Sequence, residues 1–374
     1  MSNFSYYALQ PKGTLMAAMV NDHSRNLTVL VTGVTGFLAE HIALQLLQQG
    51  YRVRGTVRSI EKGDAIRRNL AKYCPDANEH LSFVQADLDS DAGWEEAVKD
   101  CSYVIHSASP FPPGFPEDET ALINTAREGT LRVLRAAHKA QVKRVVMTSS
   151  IAATNHGNGH APYTEENWTD INSPRATPYY KSKTLSEQAA WNFAQDTGLD
   201  LAVINPSVIL GPVLGRHFGT SVGLLHHLMT GRFDGIPRFG FSVVDVRDVA
   251  DAHIRALTAP AASGQRIIVG GRFFWLKDLV ATLRDFFPNY SSRLPLSEVP
   301  DEVVITMAAI DPNARTIVHE LNRDLSVSSE KAKRILNWHS RPEEECIRAS
   351  AQSLIDLGLV AADDVSGTHS HQPQ

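Results

Sequence analysis

Two groups at helical spacing carry the most chemistry in this sequence: Tyr179 and Lys183, within "TPYYKSKTLSEQAAW" (177–191). On an α-helix, residues four apart share a face. Tyr180 has no such partner, because position 184 is Thr. A phenol with a pKa near 10 exchanges protons poorly at neutrality. An ammonium about 6 Å away, at an effective dielectric of about 20, favours the phenolate by roughly 2.8 kcal/mol, or about two pKa units. A tyrosine so placed could give a proton to a carbonyl oxygen as hydride arrives at carbon. Tyr-x-x-x-Lys is common by chance; what strengthens it is "VVMTSS" (145–150), upstream of it. Ser149 and Ser150 fall just past an apolar run. There a serine hydroxyl could hydrogen-bond a substrate oxygen, or do no more than cap a strand end.

The stretch "LVTGVTGFLAEHIALQLLQQGYRVRGTVRSIEK" (30–62) supplies a second constellation. Gly33, Gly36 and Ala39 sit where a β-rich run meets a helical pattern. Gly33 permits a tight turn, Gly36 lets a phosphate approach the backbone, and Ala39 lets the helix lie close on the strand. Unpaired N–H groups at the helix start then face the phosphates. A ligand-free turn could use the same residues; opening a long α/β chain, they lead us to expect a dinucleotide. The next strand ends on Arg58. NAD-selective folds usually place an acid there to hold the ribose 2′-hydroxyl. Arg58 can stack on adenine and fork onto a 2′-phosphate, and Lys62 adds a point charge. Glu61 lies beyond the strand end, so the expected cofactor is NADP(H).

Elements must carry these groups. Leu27–Thr32, Val53–Val57, Leu81–Ala86, Tyr103–Ser107, Val142–Ser149 and Leu201–Asn205 are apolar runs, as in strands of a parallel sheet covered on both faces. Helical patterns separate them. Phe37, Ile42, Leu46 and Leu47 share one face and Gly50 ends that helix; others run over Glu119–Ala140 and Pro178–Thr197. This alternation predicts an α/β fold, a doubly wound parallel sheet of the Rossmann kind. After Asn205 the rhythm breaks into short elements, which predicts a smaller C-terminal substrate lobe. The expected division is an N-terminal extension (1–26), a dinucleotide-binding core (27–205), a segment that is mainly substrate lobe with elements returning to the core (206–350), and a disordered polar tail (362–374). The Pro-rich stretch 109–118 follows a strand, at the sheet edge where ligands bind. Phe111, Phe115, Phe218, Phe239 and Phe241 are candidate apolar walls.

Composition narrows the function. The chain has 374 residues, 43% hydrophobic and 21% charged, with a net charge of −5. That charge argues against a nucleic-acid or membrane-surface role, which needs a concentrated basic face. No apolar run approaches the roughly 18 residues of a membrane span. "LMAAMV" (15–20) is too short for the apolar core of a signal peptide. The three cysteines, Cys74, Cys101 and Cys346, are widely spaced, and the histidines include only a small knot at His156 and His160. No metal site is expected, and the sparse thiols suit a reducing, cytoplasmic setting.

With those residues in view, the chain resembles the extended short-chain dehydrogenases/reductases. Within them it is similar to the dihydroflavonol-reductase-like branch that includes NADPH-dependent aldehyde and methylglyoxal reductases. The resemblance rests on "VTGVTGFLAEHI" (31–42), "VRGTVRS" (53–59), "ADL" (86–88), "VIHSASP" (104–110), "VKRVVMTSS" (142–150), "YYKSKTLSEQAAW" (179–191), "INPSVILGP" (204–212) and "VDVRDVADAH" (244–253). It implies Tyr179 as acid/base. It implies that Lys183 lowers the tyrosine's pKa and holds the nicotinamide ribose. Ser150 takes the catalytic serine position, with Ser149 as the fallback. By the same resemblance Gly33, Thr35, Gly36, Phe37 and Leu38 would wrap the pyrophosphate, and Arg58 and Lys62 would read the 2′-phosphate. Asp87 and Leu88 would meet the adenine, Ala108 and Ser109 the ribose, and Pro206, Ser207 and Val208 the nicotinamide. Asn124 would stand where related enzymes use an asparagine in a proton relay. The implied activity is NADPH-dependent reduction of a small-molecule aldehyde or ketone to an alcohol. Two alternatives are an NAD-dependent nucleotide-sugar epimerase or dehydratase, and a non-catalytic NADP-binding regulator. The stretch 151–178 and the loops at 109–118 and 211–241 match no substrate signature.

Overall fold

The computed structural model describes residues 27–361 apart from 112, 113, 115, 117 and 158. The N-terminal extension, the polar tail and Phe115 lie outside the described residues. Seven parallel strands form the main sheet: β1 (Thr28–Val31), β2 (Arg52–Val57), β3 (Leu81–Gln85), β4 (Tyr103–His106), β5 (Arg144–Thr148), β6 (Leu201–Pro206) and β9 (Arg266–Val269). Their order is β3-β2-β1-β4-β5-β6-β9. The chain runs outward from β1 to β3, then restarts at β4 on the other side of β1. The crevice at that reversal is where open α/β sheets bind ligands.

Helices cover both faces. In the first half they are α1 (Phe37–Gln48), α2 (Glu61–Leu70), α3 (Ala77–His80), α4 (Trp94–Val98), α5 (Glu119–Lys139) and α6 (Pro178–Thr197). One face packs α1 against Val29, Val31, Val53 and Ile105; the other packs α4, α5 and α6 against Leu30, Val104, Val145 and Val203. Alternate residues of the same strands therefore enter opposite cores, which explains the unbroken apolar runs. Local signals set the helix ends. Thr177 caps α6 by accepting from the Tyr180 amide at 3.4 Å, Pro178 fills its first turn, and Gly198 ends it at φ +72°. Asp118 caps α5, accepting from the Ala121 amide at 3.0 Å.

Beyond β6 the chain builds a three-stranded sheet from β7 (Val208–Leu210), β8 (Gly240–Asp245) and β10 (Phe273–Trp275), in the order β10-β8-β7. Around it lie α7 (Thr220–Met229), α8 (Val246–Thr258), α9 (Leu276–Phe286), α10 (Asp301–Met307), α11 (Pro312–Ile317), α12 (Glu330–Leu336) and α13 (Glu343–Asp356). This region has its own apolar cluster, in which Phe239 and Phe241 are buried with Phe274 and Leu279. Two of the five phenylalanines expected as pocket walls, Phe239 and Phe241, are thus core residues. Strand β9 and helix α8 return to the main sheet. Among the described residues no helix is long and apolar enough to cross a membrane, and no cluster of ligating side chains could hold a metal ion.

Candidate active site

At the β1–α1 junction the turn has the conformation that its glycines allow. Gly33 sits at φ +63°, and a Cβ there would stand 3.0 Å from the Ala108 Cβ on the segment after β4. Its amide donates to Thr56 Oγ1 at 2.8 Å. Gly36 precedes α1 with no side-chain cap, so the first amides of the helix, which have no acceptor within it, face the crevice. A buried polar chain fixes this cradle. Thr32 Oγ1 accepts from the Ala108 amide at 2.9 Å and contacts His106 Nδ1 at 2.9 Å. His106 Nε2 meets Thr130 Oγ1 at 3.2 Å, and Thr130 Oγ1 meets Ser186 Oγ at 2.8 Å. Strands β1 and β4 are thereby tied to α5 and to α6, the helix of Tyr179 and Lys183. Burial and the lysine charge push His106 down to about 3, so it acts as a neutral relay in this chain.

A cleft of about 710 Å³ opens above the sheet's carboxyl edge. It is lined by Gly33, Thr35, Gly36, Phe37, Leu38, Arg58, Lys62, Asp87, Leu88, Ala108, Ser109, Ser150, Tyr179, Lys183, Pro206 and Ser207, and by Ser149. Of the residues named for chemistry or cofactor from sequence, only Val208 and Asn124 therefore stay outside this space. Val208 begins β7, pairs with Val243 and packs against the C-terminal apolar cluster. Asn124 is exposed on α5 outside the cleft lining, and its neighbour Thr125 takes part instead. Phe111 and Phe218 line the cleft. Thr220 and Ser221, at the start of α7, line it too; they lie in a loop-rich stretch that offers no periodic signal.

Geometry separates the two serines. Ser149 is buried and donates to Glu187 Oε2 at 2.6 Å. Ser150 opens toward the cleft, accepts from the Ala152 amide at 3.1 Å, and shares the cleft with Tyr179, whose phenol its hydroxyl pulls back toward the ordinary range. Lys183 Nζ lies 5.9 Å from the Tyr179 ring centroid, and the Phe111 ring meets that of Tyr179 edge-on at 4.8 Å. The electrostatics differ from the sequence expectation. Burial pushes the phenol up to about 12, opposed by Ser150, and burial pushes Lys183 down to about 8, opposed by Glu187. Desolvation is the largest influence on both groups.

The residues fit a dinucleotide on this structure's own evidence. A Cβ at Gly33 would stand 3.0 Å from Ala108 and one at Gly36 3.3 Å from the Gly33 carbonyl, so backbone forms the cradle wall, while Arg58, just past β2, and Lys62, in the first turn of α2, stand exposed. Their side chains have no hydrogen-bond or ion-pair partner among the described residues. Glu61, the nearest acid, is engaged by the Ser59 hydroxyl.

Residues 29–270 match the NAD dependent epimerase/dehydratase family. The chain is 33% identical to cinnamoyl-CoA reductase CAD2 of Medicago truncatula, over 87% of this chain and 95% of that protein. It is 34% identical to ketoreductase azaE of Aspergillus niger, over 80% of this chain and 94% of that one. The crystal structure of yeast methylglyoxal/isovaleraldehyde reductase Gre2 complexed with NADPH superposes with a TM-score of 0.74 at 28% identity, covering 90% of this chain and all of that one. Sheet order, cleft and sequence agree, and the chain belongs to the NAD dependent epimerase/dehydratase family of extended short-chain dehydrogenases/reductases.

Proposed function

We propose that this chain reduces a small aldehyde or ketone to an alcohol with NADPH. The observation that carries this reading is the meeting in one cleft of Tyr179 and Ser150, Lys183 one helical turn on, and a glycine cradle flanked by two unpartnered cations. NADPH, when bound, supplies hydride to the carbonyl carbon. The protein does the rest. Arg58 and Lys62 select the 2′-phosphate, and the amides at the start of α1 hold the pyrophosphate. Ser150 and Tyr179 both address the carbonyl oxygen, and Tyr179 passes it a proton. Its raised pKa keeps that proton in place at neutrality. Lys183 stabilises the phenolate left behind and holds the nicotinamide ribose. Phe111 and Phe218 wall the reacting carbon from water, and proximity supplies much of the rate. The similarity to a ketoreductase and to the methylglyoxal/isovaleraldehyde reductase Gre2 supports the reading. So does Arg58, which stands where an NAD-recycling epimerase would be expected to carry an acid.

On the same reading, residues 27–205 hold the dinucleotide and residues 206–350 mainly shape the substrate end. The buried free thiols Cys74, Cys101 and Cys346 suit work in a reducing cytoplasm.

The test is a panel of aldehydes, diketones and aromatic ketones followed by NADPH absorbance, with NADH as control. Tyr179→Phe should keep NADPH binding and lose at least about 100-fold in turnover. Unchanged turnover in that variant rejects the mechanism. A strong preference for NADH overturns the assignment of Arg58. An epimerase would show no net consumption of NADPH.

A further inference from the structure

Glu187 lies one turn beyond Lys183 on α6 and is fully buried, yet it does not line the cleft. Its carboxylate collects four donors from separate parts of the chain. Oε2 accepts from Ser149 Oγ at 2.6 Å and from Asn205 Nδ2 at 2.8 Å. Oε1 accepts from Arg266 Nε at 2.5 Å and from Trp191 Nε1 at 3.2 Å. Asn205 also donates to the Ser150 carbonyl at 3.2 Å. The ends of β5 and β6, the start of β9 and the catalytic helix therefore converge on one side chain. Arg266 extends the reach. It packs over the Trp168 ring at 3.6 Å and donates to the carbonyls of Glu165 and Asn167 at 2.7 and 3.0 Å. That fixes the chain between Ser150 and Tyr179.

We propose that Glu187 is a positioning residue, a buried carboxylate that clamps the Ser149–Ser150 turn to the helix of Tyr179 and Lys183 and keeps the lysine charged. A carboxylate suits the task because it accepts four hydrogen bonds without donating any. An amide in its place must turn a donor toward Arg266, Ser149 or Asn205. The charge has its own effect. Lys183 is buried with Tyr179 and Glu187 on its own helix and His106 on β4. Arg266 approaches through Glu187, and His253 through Thr148 Oγ1 at 2.8 Å. Tyr179, His106 and His253 are neutral near pH 7, the histidines because burial pushes them down to about 3 and about 4. Glu187 is then the anion between two cations, Lys183 and Arg266. Its removal leaves those cations facing each other, and the lysine loses its proton at lower pH.

The inference rests on the reductase reading but is tested partly without turnover. In Glu187→Gln, NADPH affinity measured by cofactor fluorescence across pH should begin to fall at least one pH unit lower than in the wild type. At pH 7, kcat should drop more than tenfold while the KM for NADPH changes less than threefold. A folded variant that melts at lower temperature but keeps the wild-type binding profile and kcat overturns the proposal. If Glu187→Gln does not fold, Asn205→Ala decides. It removes the bridge to the Ser150 carbonyl and leaves the carboxylate, so kcat should fall severalfold with the pH dependence of binding unmoved. Wild-type kcat in that variant overturns the clamp. A wild-type protein without turnover on any carbonyl defeats the reductase reading alone. The binding profile of Glu187→Gln, or of Arg266→Met where the glutamine variant is unstable, then decides for Glu187. Arg266→Met leaves its anion to Lys183 alone and should move the fall to higher pH; an unmoved profile overturns the proposal.

Discussion

At Tyr179 two effects oppose each other, and only one could be weighed from sequence. The i, i+4 spacing gave the lysine and its approximate distance, and the 5.9 Å to the ring agrees with it. What spacing could not give was how deeply both groups are enclosed. Enclosure decides the sign, raising the phenol and depressing the ammonium. The depressed lysine sets a pH dependence. Lys183 is charged below about 8 and neutral above it, so kcat for reduction should decline with one proton's slope through roughly pH 8; a flat profile to pH 9.5 would remove the lysine charge from the mechanism. Arg58 makes a separate prediction. One charge-assisted bond to a 2′-phosphate is worth about 1.5–3 kcal/mol, so Arg58→Ala should raise the KM for NADPH by at least roughly 10- to 100-fold and change that for NADH far less. Equal losses with both cofactors would show a structural role. The resemblance puts Ser150 ahead of Ser149 without a physical reason, and only the fold supplies one: Ser149 meets Glu187, whereas Ser150 shares the cleft with Tyr179. Glu187 repeats the spacing of Lys183 from Tyr179, but spacing alone does not reveal the Ser149, Asn205 and Arg266 side chains that meet it.

Elements of the first half were legible because each carried its own punctuation. Apolar runs marked the strands, and the helix of Tyr179 begins at Pro178 and ends at Thr197, as its Thr-Pro start and Gly198 stop indicate. The lobe after β6 was not legible at that level. Its strands are short, two pairings are single bridges between distant loops, Tyr163 with Val327 and Ile236 with Glu298, and Phe239 and Phe241 fill its core. No local pattern reports such long-range partners. The strand-to-helix turn allows a paired test of what its glycine does. Gly33→Ala meets both a left-handed φ of +63° and the Ala108 Cβ at 3.0 Å. It should displace the segment after β4 and weaken NADPH binding by at least tenfold. Gly198→Ala has a similar φ of +72° but nothing within 4 Å. It should lower stability by roughly 1 kcal/mol and leave NADPH affinity intact. Equal effects on cofactor binding would mean that Gly33 serves only the turn.

Across the whole molecule, the balance of buried ionisable groups emerges only from the fold. His41, His106 and His253 are buried and neutral, pushed down to about 4, about 3 and about 4. In the unfolded chain they titrate near 6.5. Between pH 6.5 and 4.5 the unfolded state therefore binds protons that the folded state refuses, and stability falls as pH falls. Two pH units correspond to about 2.7 kcal/mol for each such group, a large share of the roughly 5–15 kcal/mol that holds a typical domain. Glu40 works the other way. Burial raises it to about 7 against a weak bond from Asn69 at 3.4 Å, so the folded state binds a proton that the unfolded state releases above about 4.5. Its contribution is fully present below that pH and is lost as pH rises through 7, by about 3 kcal/mol in all. Burial likewise pushes His156 down to about 3 and Glu320 up to about 7, so the melting temperature should fall on acidification from pH 7 to 4.5, because four histidines outweigh two glutamates. Glu40→Gln copies the neutral acid and keeps an acceptor for Asn69. It should match the wild type at pH 4.5 and melt higher at pH 8. A variant less stable than wild type at pH 8 would show that Glu40 is ionised and stabilising in the fold, with the opposite sign of pH dependence.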